Sequence, residues 1–414
     1  MNSRERILNA IERKPVDKVP VDLGGHRSSG IAAIAYAQLK KELGITTGDI
    51  YVYDVIQQLA IVEQPVLERF QVDTIEMGRG FCLDKKDWKD WILPNGIPCK
   101  IPANIHIEKR NDDWYLLSES GIPMGVQKKG VLYFEQIYFP CLENDFSTDD
   151  FSHLEESMKK CMWTSVPSPS SCSLDEVGLK ELETKAKQLR ESTDKAIIGL
   201  FGGNLFELPQ YLYRSDNYFL ALAMYPDKII ELSEKLTNIY IKKLEKWLGA
   251  VGKYIDIVLF GDDFGSNNGP LIDPQMYREF YKPFHKKMWT RTKEIADVKI
   301  QLHSCGSIEP LLTDLIDAGL DMVNPVQINA LNMNPVLLKS KYGKDFCFWG
   351  GGCNTQQILN LQSPDVVEKS IKELLPIWTN GSGYVFQQVH NIMADIKPEN
   401  IIRMFDTVNN FRLQ

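Results

Sequence analysis

Nowhere does this chain run apolar for the roughly 18 or more residues that a bilayer-spanning helix needs, so a membrane is not expected as its partner. It also lacks any lysine- and arginine-rich run of the kind that tracks phosphate backbones. With 47 basic against 55 acidic residues the net charge is −8, which argues against nucleic acid. The opening MNSRERILNAIERK reads as a charged amphipathic helix without the apolar centre and small-residue cleavage site of a secretory signal, and a cytoplasmic protein is expected. Internal repeats and low-complexity tracts are missing. The eight cysteines (82, 99, 141, 161, 172, 305, 347 and 353) form no compact framework and are expected as reduced thiols, buried or available to a metal. Gly350–Gly351–Gly352 has neither the spacing nor the lysine of a phosphate loop and is expected to serve close packing.

What is present is an ordinary globular composition, 43% hydrophobic and 25% charged. Short apolar runs at 18–23, 72–76, 196–200, 255–260, 298–302, 321–324, 346–349 and 384–387 predict strands. Helical periodicity lies between them, at about 31–39, 54–70, 205–247, 274–296 and 308–318. Strands spaced by helices imply parallel βαβ units, and eight of them imply a closed (β/α)₈ TIM barrel, read as a single domain over 1–414. A doubly wound open sheet is the competitor. It is disfavoured because polar residues follow many strands instead of gathering at one switch point. From about 82 to 140, turn signals at Pro94–Asn95–Gly96, Asn111–Asp112–Asp113 and Ser120–Gly121 separate β-prone runs, predicting an N-terminal β-hairpin insertion that serves as a lid or a homodimer surface. Residues 165–172 form a Ser/Pro-rich connector.

Loops after barrel strands converge on one face, so residues distant in sequence meet there. In order they carry Gly24, Gly25, His26 and Arg27; Gly202, Gly203 and Asn204; Asp262 and Asp263; His303 and Cys305; Asn324 and Gln327; Cys353; and His390. In extended backbone His303 and Cys305 point the same way and can grip one ion. Zinc favours such nitrogen and sulfur donors, and His390 or Cys353 is expected as a third ligand. The alternative is a hydrogen-bonded barrel histidine beside a buried thiol. Asp262 and Asp263 are expected to orient substrate or donate a proton, the alternative being that one of them caps a helix or pairs with arginine. His26 and Arg27 are read as an anion- or ring-binding pair or as a surface loop. Asp273–Pro274 looks like a structural helix start. His106 and His153 receive no role.

At these residues the chain resembles the uroporphyrinogen decarboxylase superfamily, through GDDFG, LIDPQMYREFYKPFHKK, HSCGSIEPLLTDLIDAGLDMVNPVQ, FWGGGCNTQ and VHNIMADIKPENI, and more loosely through RERILNAIERKPVDKVPVDLGG. The resemblance implies a (β/α)₈ barrel. It also implies one of two chemistries, decarboxylation or zinc-dependent methyl transfer with corrinoid proteins. The decarboxylases carry an arginine-rich signature after the first strand, where this chain reads GGHRSSG. The methyltransferase branch binds zinc through an H-x-C pair, matched by His303 and Cys305, and a later Cys whose place falls at about His390, with Cys353 in reserve. Gln327 stands near where related zinc methyltransferases can place a Glu.

What the resemblance implies is methyl transfer from a small methylated compound to the cobalt of a corrinoid (cobalamin-type) partner protein. A methoxylated aromatic undergoing O-demethylation suits it, with His26, Phe264 and Trp349 as a compatible aromatic rim. On this reading Asp262 and Asp263 are catalytic, His26, Arg27, Asn204 and Gln327 bind substrate, and zinc sits on His303, Cys305 and His390. The rival readings are a metal-free decarboxylase and a non-catalytic corrinoid- or ligand-binding barrel.

Overall fold

The computed structural model describes residues 1–78, 84–165 and 173–413. Seven parallel strands form one sheet whose spatial order follows the chain: β1 (Thr74–Glu76), β2 (Ala196–Gly202), β3 (Ile257–Gly261), β4 (Lys299–His303), β5 (Met322–Asn324), β6 (Cys347–Trp349) and β7 (Tyr384–Val385). The eighth expected strand, 18–23, is reduced to a bridge at Val21 that nevertheless joins the sheet's two edges. Asp22 N–H donates to Phe386 O and Asp73 N–H donates to Val21 O, each at 2.8 Å. Pro20 has no N–H to give, and the Asp73 carboxylate takes the Val21 N–H instead of a ladder carbonyl, so regular pairing stops there.

Alternation along these strands separates two cores. Ala196, Ile198, Ile257, Leu259, Met322, Cys347, Trp349 and Val385 fill the interior, closed from below by Ile7, Ala10 and Ile11 of the helix Ser3–Ile11. Ile197, Val258, Phe260, Ile300, Leu302, Val323 and Phe348 face outward against the helices. Asn2 begins the first helix with a capping box, its side chain accepting from Glu5 N–H while Glu5 reaches back. Register sets the height of the working face: Gly261 pairs with His303, and His303 with Asn324, so three strand ends finish at one level.

Two sequence expectations change. The helix read over 54–70 is an antiparallel pair, Val52–Asp54 with Leu59–Ala60, followed by a short helix Gln64–Arg69. The β-prone run Val52–Tyr53 favours extension, the Asp54 side chain accepts Gln57 N–H at 3.0 Å to close a turn, and Gln58 takes a φ of 55°. The helical stretch 205–247 is three helices, Glu207–Tyr213, Ser215–Met224 and Pro226–Val251, broken where Arg214 adopts a φ of 69° and where Pro226 begins a new turn.

The insertion is mainly β in its described part, after a 3-10 turn at Lys85–Asp87. Trp88–Ile92 pairs with Pro98–Pro102, and His106–Arg110, Asp113–Leu117, Pro123–Gln127 and Glu135–Gln136 form a meander. Asn111 and Gly121 turn with φ of 56° and 81°, at two of the expected turn signals. Cys82 and nearly all of the expected 165–172 connector, Cys172 included, lie outside the described residues. Among the described helices none is long and apolar enough to cross a membrane.

Candidate metal centre and its cavity

Where β4 ends, His303 and Cys305 turn into the mouth of the barrel, and His390 arrives from the loop after β7. One donor atom from each lies within 4.8 Å of the others, and this is the only cluster of three or more His, Cys, Asp or Glu donors so placed among the described residues. His303 Nε2 is 3.4 Å from Cys305 Sγ, and the two imidazole rings stand 5.6 Å apart. Ligands on a tetrahedral zinc, with bonds of about 2.0–2.3 Å, sit roughly 3.3–3.8 Å from one another, so small side-chain shifts would close this set on an ion.

The donors' orientation comes from the layer behind them. Gln387 Nε2–H donates to Ser28 O, which leaves its Oε1 to accept the Asn324 amide. Asn324 Oδ1 then faces His303 Nδ1 at 2.9 Å and accepts its proton, so the Nε2 lone pair points into the cavity. Burial and the neighbouring His303 hold His390 down to about 4, which keeps its imidazole neutral and able to donate a lone pair. Burial, then Asp263 and Glu207, push the Cys305 thiol up. A divalent cation reverses that balance by displacing the sulfur's proton. Donor chemistry, tautomer and spacing all fit a zinc-type ion. Cys353 does not join them: it is buried in the outer apolar cluster, because Gly350–Gly351–Gly352 packs beneath β7, with a methyl group at Gly352 falling 2.2 Å from the Phe386 ring.

The two adjacent carboxylates divide. Asp262 is fully buried and accepts backbone N–H from Leu205, Phe206 and Glu207 at 2.8–3.1 Å, anchoring the start of the helix Glu207–Tyr213, with His285 Nε2 3.2 Å away. It is spent on structure and is not among the residues that line the cavity beside His303 and His390. Asp263, its side chain 31% exposed, faces the cavity; its Oδ1 accepts the Cys305 N–H at 2.8 Å and lies 3.7 Å from His303 Nε2. Gln327 is likewise occupied, accepting from Gly306 N–H at 2.9 Å and donating to Asn267 at 2.6 Å. It fixes the loop that carries Cys305.

A cavity of about 750 Å³ opens beside His303 and His390. His303, His390, Asp263, Ser28, Arg27, Asn204 and Glu207 line it on the polar side. The expected aromatic rim is elsewhere: Trp349 is inside the barrel with its Nε1–H on Asp22, Phe264 stacks on Phe206 at 4.9 Å, and His26 is fully buried 3.4 Å from Asp22. The aromatic wall is made by Trp163, Phe201, Tyr211, Tyr240, Trp247 and Phe260. Arg27 reaches the cavity, but Asp54 neutralises it through Nε (2.9 Å) and Nη2, and its guanidinium lies 5.8 Å from the Trp163 ring. Asn204 lines the cavity and donates to Glu207 Oε2 at 2.7 Å.

Glu207 was not legible as a site residue. Its carboxyl is pushed up to about 8 by burial and by the charge of Asp263, with Asp262 adding to it, while hydrogen bonds from Tyr211 and Asn204 pull the other way. The available signal was a glutamate in the first helical turn after Gly202–Gly203–Asn204. Its proximity to an aspartate more than fifty positions later exists only in the folded chain.

The family model described as uroporphyrinogen decarboxylase (URO-D) matches residues 166–411. Among curated proteins, the chain is similar to uroporphyrinogen decarboxylase of Staphylococcus epidermidis, 27% identical over 56% of this chain and 62% of that protein. It is 24% identical to the Syntrophotalea carbinolica protein of the same name over 55% and 64%. The chain thus spans less than two thirds of the length of these relatives. A methyltransferase from Methanosarcina mazei superposes with a TM-score of 0.58 at 14% identity, covering 99% of both chains, and shares the fold.

Proposed function

This chain belongs to the uroporphyrinogen decarboxylase family, and we propose that within it the protein is a zinc-assisted methyltransferase that moves a methyl group from a small methylated compound, a methoxylated aromatic, to the cobalt of a partner corrinoid protein. The convergence of His303, Cys305 and His390 within 4.8 Å, with both imidazoles lining the cavity, carries this reading. Conventional metal-free decarboxylation of a polycarboxylated ring asks for free cations to hold the carboxylates, whereas in this cavity Arg27 is paired with Asp54, Lys159 with Glu156, and burial lowers the Lys243 ammonium. A methyltransferase with the same fold from end to end supports the choice.

His303, Cys305 and His390 would hold the ion, leaving one position open to the substrate's heteroatom. Zinc bound there supplies a Lewis acid that weakens the bond between that heteroatom and its methyl group. The chain's own residues do the remainder. Trp163, Tyr211, Tyr240 and Trp247 offer faces against which a ring settles and sheds water. Asn324 and Gln387 keep His303 in its donating tautomer, and Asp263 pins the Cys305 backbone.

Metal analysis of the purified protein tests this directly. About one zinc per chain is expected, with both zinc and methyl transfer from methoxylated aromatics to a reduced corrinoid lost in His303→Ala. Full retention of either in that variant overturns the reading.

A further inference from the structure

The same cavity holds a carboxyl that metal binding does not use. Glu207 lies in the first turn of the helix Glu207–Tyr213, whose backbone is fastened by Asp262, so its position is set without help from its own side chain. Tyr211 O–H donates to Oε1 at 2.6 Å and Asn204 N–H to Oε2 at 2.7 Å. The asymmetry of these partners matters. An amide N–H can only donate, whereas a phenol can give a hydrogen bond to a carboxylate or receive one from a carboxylic acid. The carboxyl can therefore hold or release a proton without losing a partner. Tyr211 is itself fixed, stacked on Trp163 at 5.6 Å in the aromatic wall.

We propose that Glu207 is the catalytic proton donor to the leaving oxygen, and that the substrate is an aryl methyl ether whose phenol is too weakly acidic to depart as an anion. This rests on the methyl-transfer reading above. The methyl carbon–oxygen bond breaks with its electron pair staying on oxygen, the methyl group passes to a cobalt(I) corrinoid on the partner protein, and the Glu207 proton goes to oxygen. The products are a phenol, a methylated corrinoid and the Glu207 carboxylate, which water reprotonates. Facing Glu207 are Asp263 and Asp262 from the loop after β3, Tyr211 from its own helix and Asn204 from the loop after β2. Cys305 lies beyond Asp263, and His303, His390 and Arg27 line the same cavity. In the metal-free protein, burial and the two aspartates hold the Glu207 carboxyl up to about 8.

The test is Glu207→Gln, which retains both hydrogen bonds, assayed on the zinc-loaded protein with reduced corrinoid across aryl methyl ethers of graded phenol acidity. A loss of about 10²–10⁴-fold is expected for weakly acidic phenols, shrinking towards none for nitro-substituted ones. The alkaline limb that Glu207 sets in the wild type should vanish in Glu207→Gln and move upward in Tyr211→Phe, which removes a bond favouring the carboxylate. Independently of turnover, the infrared carbonyl band of a protonated carboxylic acid at neutral pH should be present in the wild type and absent in Glu207→Gln. A loss equal across the series, no loss, or no such band overturns the donor role while the methyl-transfer reading stands. Wild-type inertness towards every ether overturns that reading, and the donor role with it.

Discussion

Asp262 and Asp263 are neighbours in sequence and opposites in use, because the backbone of one strand end points one carboxylate at a helix start and the other at open space. Asp262 satisfies three backbone donors, two of them buried. Asp262→Ala would leave them without an acceptor and is expected to cost roughly 3 kcal/mol or more in urea unfolding, while Asp263→Ala costs under about 1 kcal/mol. Equal costs would contradict the division. Asn324 poses a complementary case. It is not itself one of the three donors, yet its Oδ1 decides which His303 nitrogen keeps a lone pair. Asn324→Ala should weaken zinc binding about 10–100-fold in competition with a chelator, with little change in fold by circular dichroism. Nothing in the spacing of the sequence separates these roles, since each depends on what a side chain meets across the barrel.

At the scale of elements, the cavity is held open by loops packed too closely for side chains. A methyl group at Gly265 would lie 2.4 Å from Cys305 O, and one at Gly306, where φ is +79°, would lie 2.4 Å from the Gly265 carbonyl carbon. The loops after β3 and β4 therefore lock backbone to backbone, and this contact sets the height of the Cys305 sulfur. Gly306→Ala is expected to cost about 1–3 kcal/mol and to reduce zinc affinity together with it. Gly319→Ala, with φ +107° and nothing within 4 Å of the added methyl group, carries backbone strain alone and should leave zinc affinity intact. Thermal melts and zinc titrations of the two variants distinguish them. The insertion bears on the same region. Gln136 donates to Tyr211 O at 2.8 Å, so the meander braces the helix that presents Glu207.

For the molecule as a whole, the raised Glu207 carboxyl writes a sign into stability against pH. An unfolded chain releases that proton near 4.5 and the folded one near 8, so between these values the native state binds more protons. The stabilisation is complete below about pH 4.5 and lost as pH rises through 8. Glu12, Asp17 and Asp216 act in the other direction. Each is held down to about 2, chiefly by hydrogen bonds from Lys14 and Lys299, from Arg6, and from Arg214 respectively, so their contribution is lost as pH falls from about 4 to 2. Urea midpoints of the metal-free protein should therefore decline between about pH 7 and 8, above the range where the depressed His390 opposes the trend, with the decline reduced in Glu207→Gln. An unchanged slope in that variant would place the proton elsewhere.

Period and order along the chain determined the barrel, because apolar runs separated by amphipathic helices leave few ways to bury both faces of a parallel sheet. They also placed His303, Cys305 and His390 on one rim, since strand ends share a rim by topology alone. The side of each loop that faces the cavity was decided only in three dimensions. There Cys353 fell into the outer core, Asp262 became an anchor, Trp349 turned inward, and Glu207 met Asp263. Topology acts through a repeating backbone pattern visible in one dimension. A loop side chain's direction depends on contacts with loops contributed by other strands, and no local pattern records them.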